Sequence, residues 1–369
     1  MKHDYSVPQG DNKLSAIPRV LVMAAGTGGH IFPALVVAKA LQEKGVEVAW
    51  LGTAQGMEQK LVPETINLYT IPVQGLRGTS WQRLLKAPWQ LMKAALAARK
   101  ILKEFQPDLV LGMGGYVTGP SGVMSYFLGI PLIIHEQNTK PGFTNRVLHF
   151  FSKQVFTAFP NTFNHSKKNR VIGNPLRESI SQLPGLTSVS RPLRLLVLGG
   201  SQGATALNQL IGKALTEKIP EVELTIRHQT GDHNLQVTKE IYQHCAYPYE
   251  LLPFIDDMSN AYGWANLVIA RAGALTVSEI AAAGVASILI PYPYAVDDHQ
   301  TSNAAYLADM GAACLVQQQA LDDVKLRNMI RDFALQQEKL LQMAAKAKAM
   351  AKSDATEQIV AYCLGEINE

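Results

Sequence analysis

A histidine closes a glycine loop near the start of the chain: Gly26-Thr27-Gly28-Gly29-His30 follows an apolar run and opens a helical one. An imidazole, with an unperturbed pKa near ~6.5, can take a proton at neutral pH, as a general base must. Glycines at a strand-to-helix junction permit tight turns and bring a phosphate close to the unpaired N–H groups of the helix start. Comparable loops recur at residues 112–115, at residues 199–203 (which hold Ser201) and at Ala272-Gly273. Together they point to a phosphate-bearing ligand. They do not make the dinucleotide fingerprint GxGxxG, because Ile31 stands in place of its third glycine. The second strand also ends at Leu51-Gly52-Thr53, with no acidic residue for a ribose hydroxyl. A P-loop is excluded, since GxxxxGK[ST] occurs nowhere.

Metal ligands are equally sparse. The chain has no DxD, no HExxH and no His/Cys cluster, so neither metal nor cofactor is expected. Asp256-Asp257 and Asp297-Asp298 are adjacent pairs that suit helix starts as well as cations. A departing diphosphate would then rely on helix dipoles and backbone N–H groups. Thr276-Val277-Ser278-Glu279 matches the capping box [ST]xxE, which predicts a helix N-terminus capped by Thr276 and Glu279.

These residues need a scaffold, and the composition allows one. The 369 residues suit two domains, and a chain 47% hydrophobic and 17% charged can bury real cores rather than stay disordered. A formal charge of +4 is too small for a general nucleic-acid binder. Three cysteines without a CxxC pair exclude a disulfide scaffold and suit a reducing cytoplasm. Residues 109–134 carry no charge, but their glycines and prolines read as loops between short elements rather than a membrane span.

Buried strands are predicted at residues 19–24, 46–51, 109–111, 132–134, 193–198, 223–227, 267–270 and 287–290, with helices at 34–44 and 206–217 between them. This alternation predicts an α/β fold with parallel sheets and crossover helices. The two halves echo each other: RVLVMAAGTGGH resembles RLLVLGGSQGA, and DLVLGMGGYVTG resembles NLVIARAGALTV, in the same order. Two Rossmann-like domains follow, at residues 19–173 and 193–350, joined by a Pro/Gly/Ser-rich linker at 174–192. Residues 1–18 read as a disordered tail, neither signal peptide nor anchor, and residues 351–369 as a helix that packs back on the first domain.

The motifs GTGGHIFPAL, GMGGYVTGPSG, HEQNTKPGFTNR, GNPLRE, GGSQGA, FIDDM, RAGALTVSE and DDHQTSNA occur in that order. From Arg19 to the C-terminus the chain thereby resembles the MurG family of bacterial glycosyltransferases, family 28. The resemblance implies the GT-B architecture, two Rossmann-like domains with parallel sheets facing a central cleft. It also implies an inverting, metal-independent transfer of N-acetylglucosamine from UDP-GlcNAc to the 4-hydroxyl of the lipid-linked MurNAc-pentapeptide, lipid I, forming lipid II.

On that resemblance His30 is the base for the acceptor hydroxyl or a diphosphate contact, beside Thr27, Gly28 and Gly29. Ser201 contacts the donor diphosphate, and Arg177 and Ile255 lie at the uridine side, the latter through its backbone. Ala274, Leu275, Thr276, Val277, Ser278 and Glu279 wrap the nucleotide sugar, with Glu279 accepting ribose hydroxyls. Asn138 and Gln300 offer amides to the donor sugar or the acceptor, while Tyr116, Thr118, Gly119 and Pro120 face the acceptor. Two other readings share these features: another GT-B enzyme (a lipid glycosyltransferase or a UDP-GlcNAc 2-epimerase) and a non-catalytic nucleotide-sugar-binding subunit.

Residues 65–103 contain basic Arg77, Arg83, Lys86, Lys93, Arg99, Lys100 and Lys103 among apolar Leu76, Trp81, Leu85, Trp89, Met92 and Leu96. Basic amphipathic helices with tryptophan bind anionic membrane surfaces. Pro88 is expected to kink this segment or divide it into two helices. With a lipid-linked acceptor, the expected location is the cytoplasmic face of the inner membrane, peripheral. The expected partners are UDP-GlcNAc, lipid I, and cell-wall synthesis and division proteins, with no nucleic acid.

Overall fold

The computed structural model describes residues 17–73, 81–200 and 203–368, without the side chains of residues 81–87 and 368. Residues 1–16 of the expected tail, Leu76, Arg77 and Ser201 lie outside the described residues, as do the side chains of Trp81, Arg83, Leu85 and Lys86.

Two all-parallel sheets organise the chain. The first comprises β1 (Arg19–Met23), β2 (Glu47–Gly52), β3 (Asn67–Thr70), β4 (Leu109–Gly112), β5 (Leu132–Glu136), β6 (Gln154–Thr157) and β7 (Asn169–Val171), in the order β3-β2-β1-β4-β5-β6-β7. The second comprises β8 (Leu193–Leu198), β9 (Leu224–Gln229), β10 (Tyr249–Leu252), β11 (Leu267–Ala270), β12 (Ala286–Leu289) and β13 (Cys314–Leu315), in the order β10-β9-β8-β11-β12-β13. The internal repeat is thus structural: β1 pairs with β4 as β8 pairs with β11. This is the GT-B architecture.

Helices cover both faces of each sheet, so the central strands are apolar on both sides. Val20, Leu21, Val22 and Met23 have no exposed surface, nor do Leu195, Leu196 and Val197. Five strands lack such a run and escape the sequence pattern: β3, β6, β7, β10 and β13. In β6 the polar ends are held by local bonds, with Gln154 Nε2 donated to Lys168 O at 2.6 Å.

The helix expected at 206–217 spans Thr205–Ala214 and the one expected at 351–369 spans Ala355–Asn368, and two other helices depart further from expectation. The first helix, Gly28–Glu43, begins six residues before the predicted start at 34, because Gly28, Gly29 and Pro33 are weak helix formers that disguise its first turns. The basic segment forms one helix, Trp81–Phe105, with Pro88 inside it rather than between two helices. Pro88 removes one N–H from the ladder, and the turns on either side carry the helix past it.

The last helix, Ala355–Asn368, joins the N-terminal core. Ala355, Ile359, Val360 and Cys363 pack with Val20, Val37 and Phe156, and Lys153 pairs with Glu366. Lys348 ties the connection between domains to the second sheet's helices by donating to Ser181 O, Leu183 O and Ala282 O.

Candidate active site

Strand order reverses between β1 and β4, and again between β8 and β11. Open parallel sheets bind ligands at the carboxyl ends of strands flanking such a switch point. The four glycine loops follow these four strands. Gly26, Gly114, Gly115, Gly200 and Gly203 all have positive φ. A Cβ on Gly115 would lie 2.4 Å from Ala25 O, so the second loop reaches the first only because it lacks a side chain.

Thr27 is the N-cap of the Gly28–Glu43 helix with an extended backbone, and its side chain makes no capping bond. The His30 amide turns back to Thr27 O at 3.0 Å, which leaves the amides of Gly28 and Gly29 at the helix start to suit an anion. His30, in the first turn, places Nδ1 3.1 Å from Gln137 Oε1. Gln137 is buried, and its Nε2 is donated to Met113 O at 2.7 Å. Neighbouring His135 is fully buried and places Nε2 2.9 Å from Gly173 O. Burial pushes its pKa down to about 4, so it stays neutral beside His30.

Glu136 orders the loop that follows β5. Its Oε1 accepts from Asn138 N at 3.0 Å and from Asn138 Nδ2, and its Oε2 accepts from Gly142 N at 3.1 Å and Asn145 Nδ2 at 2.8 Å. Asn138 Oδ1 in turn accepts from Asn303 Nδ2 of the second domain at 3.2 Å. Both functional ends of the Asn138 amide are therefore occupied by protein, and Asn138 works as part of a domain clasp.

In the second domain the helix Ala274–Ala283 is capped by Gly273, not by Thr276. The capping-box expectation is overturned: Thr276 is the third helical residue and Glu279 lies a turn deeper, beyond reach of the helix start. Glu279 instead accepts the Tyr262 hydroxyl at 3.0 Å. Burial pushes its carboxyl up to about 7, against the opposing pull of Tyr262 and Arg177. Ala274 and Val277 are buried, Leu275 and Thr276 are partly exposed, and Ser278 Oγ accepts from Asn174 Nδ2 at 2.9 Å.

Arg177 donates to Asp256 O at 2.9 Å and stacks over Phe32 of the first helix, 5.3 Å from the ring centre. Ile255 is buried next to that carbonyl. Gln300 accepts from Tyr292 N at 2.9 Å and so braces the loop after β12. Tyr116 is half exposed at the second glycine loop. Thr118 is fully buried, its hydroxyl donated to Gly115 O at 2.7 Å, so it shapes the turn instead of presenting a free hydroxyl. Gly119 and Pro120 are partly exposed in the same turn.

Several residues escaped the sequence reading. Gln137, Asn174, Asn303 and Arg271 are buried polar groups at strand ends or on the facing helix. Arg271 donates to Ile290 O and Pro291 O, each at 3.1 Å, and to Gln318 Oε1 at 2.6 Å. For Gln137 and Arg271 the signal was polarity directly after an apolar strand, as in LIIHEQN and LVIAR.

Residues 20–157 match the glycosyltransferase family 28 N-terminal domain and residues 194–359 the glycosyltransferase family 28 C-terminal domain. The chain is 51% identical to the UDP-N-acetylglucosamine--N-acetylmuramyl-(pentapeptide) pyrophosphoryl-undecaprenol N-acetylglucosamine transferase of Ectopseudomonas mendocina, over 93% of this chain and 97% of that one. The Coxiella burnetii protein of the same name is 44% identical, over 94% and 98%. The crystal structure of Acinetobacter baumannii MurG matches with a TM-score of 0.79 at 42% identity, over 94% of this chain and 99% of that one.

Proposed function

The chain belongs to glycosyltransferase family 28, and we infer that it transfers N-acetylglucosamine from UDP-GlcNAc to the 4-hydroxyl of the MurNAc-pentapeptide carried on undecaprenyl diphosphate. The observation carrying this reading is the meeting of two helix starts from different domains. The helix holding His30 packs against the Ala274–Ala283 helix, and Asn174 Nδ2 bonds both Gln137 O and Ala274 O. This supports reading His30 as a general base beside an anion-binding helix terminus.

In the reaction His30 Nε2 takes the proton of the acceptor hydroxyl while that oxygen bonds to the anomeric carbon. The bond from this carbon to the diphosphate oxygen breaks, and UDP leaves with the electron pair. Attack opposite the leaving group inverts the centre and gives a β(1→4) bond. Charge gathering on UDP is met by the amides at the start of the Ala274–Ala283 helix and by that of Gly200. Glu279 accepts ribose hydroxyls, and Arg177 flanks the uridine.

The lipid-linked acceptor is met at the cytoplasmic membrane face. No helix of the described residues is long and apolar enough to cross a membrane. Trp89, Met92 and Leu96 are each more than half exposed on their helix, Phe127 is exposed on the Thr118–Phe127 helix packed beside it, and Phe143 and Phe150 on the Phe143–Phe151 helix packed against that one. Lys93 lies over the Trp89 ring. Such a surface suits insertion among anionic headgroups.

UDP release from UDP-GlcNAc, measured with and without a short-chain lipid I analogue, tests the transfer. Release that requires the acceptor supports it. Acceptor-independent release, or none from protein that binds UDP-GlcNAc, would sink it.

A further inference from the structure

The amide of Gln137 leaves His30 a single hydrogen-bonding choice. Gln137 Nε2 must point at Met113 O, 2.7 Å away, because a carbonyl oxygen there would face another acceptor. Gln137 Oε1 is therefore the atom 3.1 Å from His30 Nδ1, and it has only lone pairs to offer. The contact is a hydrogen bond only if Nδ1 carries the proton. The ring fits here only because Gly114 lacks a side chain: a Cβ there would lie 2.5 Å from Nδ1.

We propose that Gln137 is a positioning residue that fixes the neutral His30 ring in its Nδ1–H tautomer, leaving the Nε2 lone pair to receive the acceptor proton. The proposal rests on the reading of His30 as the base. A neutral amide suits this task, since it selects the tautomer without adding the charge that a carboxylate would place beside the imidazole. Gln137 is itself held by three elements: it follows β5, its side chain reaches the end of β4, and its carbonyl oxygen accepts from Asn174. The tautomer is thus set by the packing of the first sheet and does not wait for substrate.

The test uses the full chain labelled with ¹⁵N-histidine, with His30 resonances assigned by their loss in His30→Ala. At a pH where the ring is neutral, Nδ1 should read as protonated and Nε2 as unprotonated. In Gln137→Met, which keeps the length but not the acceptor, the two forms should mix. Its kcat should then fall about tenfold with KM for UDP-GlcNAc unchanged. Gln137→Glu, protonated on the oxygen that faces Met113 O, keeps an acceptor for Nδ1, should recover the Nδ1–H form and serves as the second variant if Gln137→Met folds poorly. A protonated Nε2 in the wild-type protein, or Gln137→Met with the wild-type tautomer, overturns the proposal. A His30→Ala protein at the wild-type rate overturns the base reading and the catalytic half of the proposal, while the resonances still report the tautomer.

Discussion

Asn303 and Thr139 meet across the domain boundary: the Asn303 side-chain oxygen accepts the Thr139 amide at 3.0 Å and its hydroxyl at 2.9 Å. The Asn303 nitrogen is donated to Ala272 O and Asn138 Oδ1, each at 3.2 Å. One buried side chain thus joins the loop after β5 to the glycine loop after β11. Asn303→Ala would strand these groups, at a cost of about 1–3 kcal/mol. A lower thermal midpoint and a raised KM for both substrates are expected, with Asn303→Asp intermediate because it keeps only the acceptor. Wild-type KM values and midpoint in Asn303→Ala would remove the clasp from the mechanism.

Glu279, as the proposed acceptor of ribose hydroxyls, should give donor binding a pH dependence. Its carboxyl is pushed up to about 7 by burial, so it loses charge as pH falls through neutrality. Hydrogen bonds from ribose to an ionised acceptor are stronger than to a neutral one. The Kd for UDP should rise about tenfold between roughly pH 8 and pH 6, as the charged acceptor is lost. Tyr262 opposes the upward shift by donating to the charged form. Tyr262→Phe should therefore move the midpoint above that of the wild type. Calorimetric titration with UDP across this range decides the matter, and a flat profile would exclude Glu279 from the ribose site.

Acid stability should follow two buried histidines. His228, bonded to Tyr242 Oη and Asn208 Oδ1, is pushed down to about 3, and His135 to about 4, both by burial. Below their unfolded value near ~6.5, the unfolded chain takes up protons that the folded imidazoles refuse, removing about 1.4 kcal/mol per pH unit for each ring. Glu279 acts oppositely: its raised folded value makes stability fall as pH rises from 4.5 to about 7. Urea unfolding between those limits should show a net loss on acidification. His228→Gln, which cannot titrate, should flatten that loss, and an unchanged slope would count against the buried neutral ring.

The legible part of this molecule is the part set by local rules. β1, β8 and β11 announce themselves because both faces are buried and their central positions are apolar, and the glycine loops because their backbone takes positive φ, as at Gly26 and Gly200, or a side chain would collide, as at Gly115. β3 and β10 do not, since edge strands keep residues such as Asn67 and Glu250 exposed on one side. The Thr276–Glu279 spacing misled because Gly273, without a side chain, is the true cap. His30 was visible as a residue type, yet its partner Gln137 is 107 positions away, and Asn303 lies 164 from Thr139. A buried amide gains its meaning from tertiary neighbours, which no window of sequence contains.

The exposed aromatic surface makes a prediction separable from catalysis. Trp89 is 64% and Phe150 81% exposed, on helices that flank the Thr118–Phe127 helix and are remote in sequence from His30. Removing both apolar side chains loses on the order of 2–3 kcal/mol each of burial in the headgroup region. Trp89→Ser with Phe150→Ser should therefore weaken flotation with anionic vesicles by at least tenfold. The rate with a short-chain, water-soluble acceptor should stay within about twofold of wild type, because neither side chain is needed to hold the donor or the base. Loss of both properties together would mean that these residues support the fold instead of meeting the bilayer. Retention of vesicle binding would move the membrane face to another part of the surface.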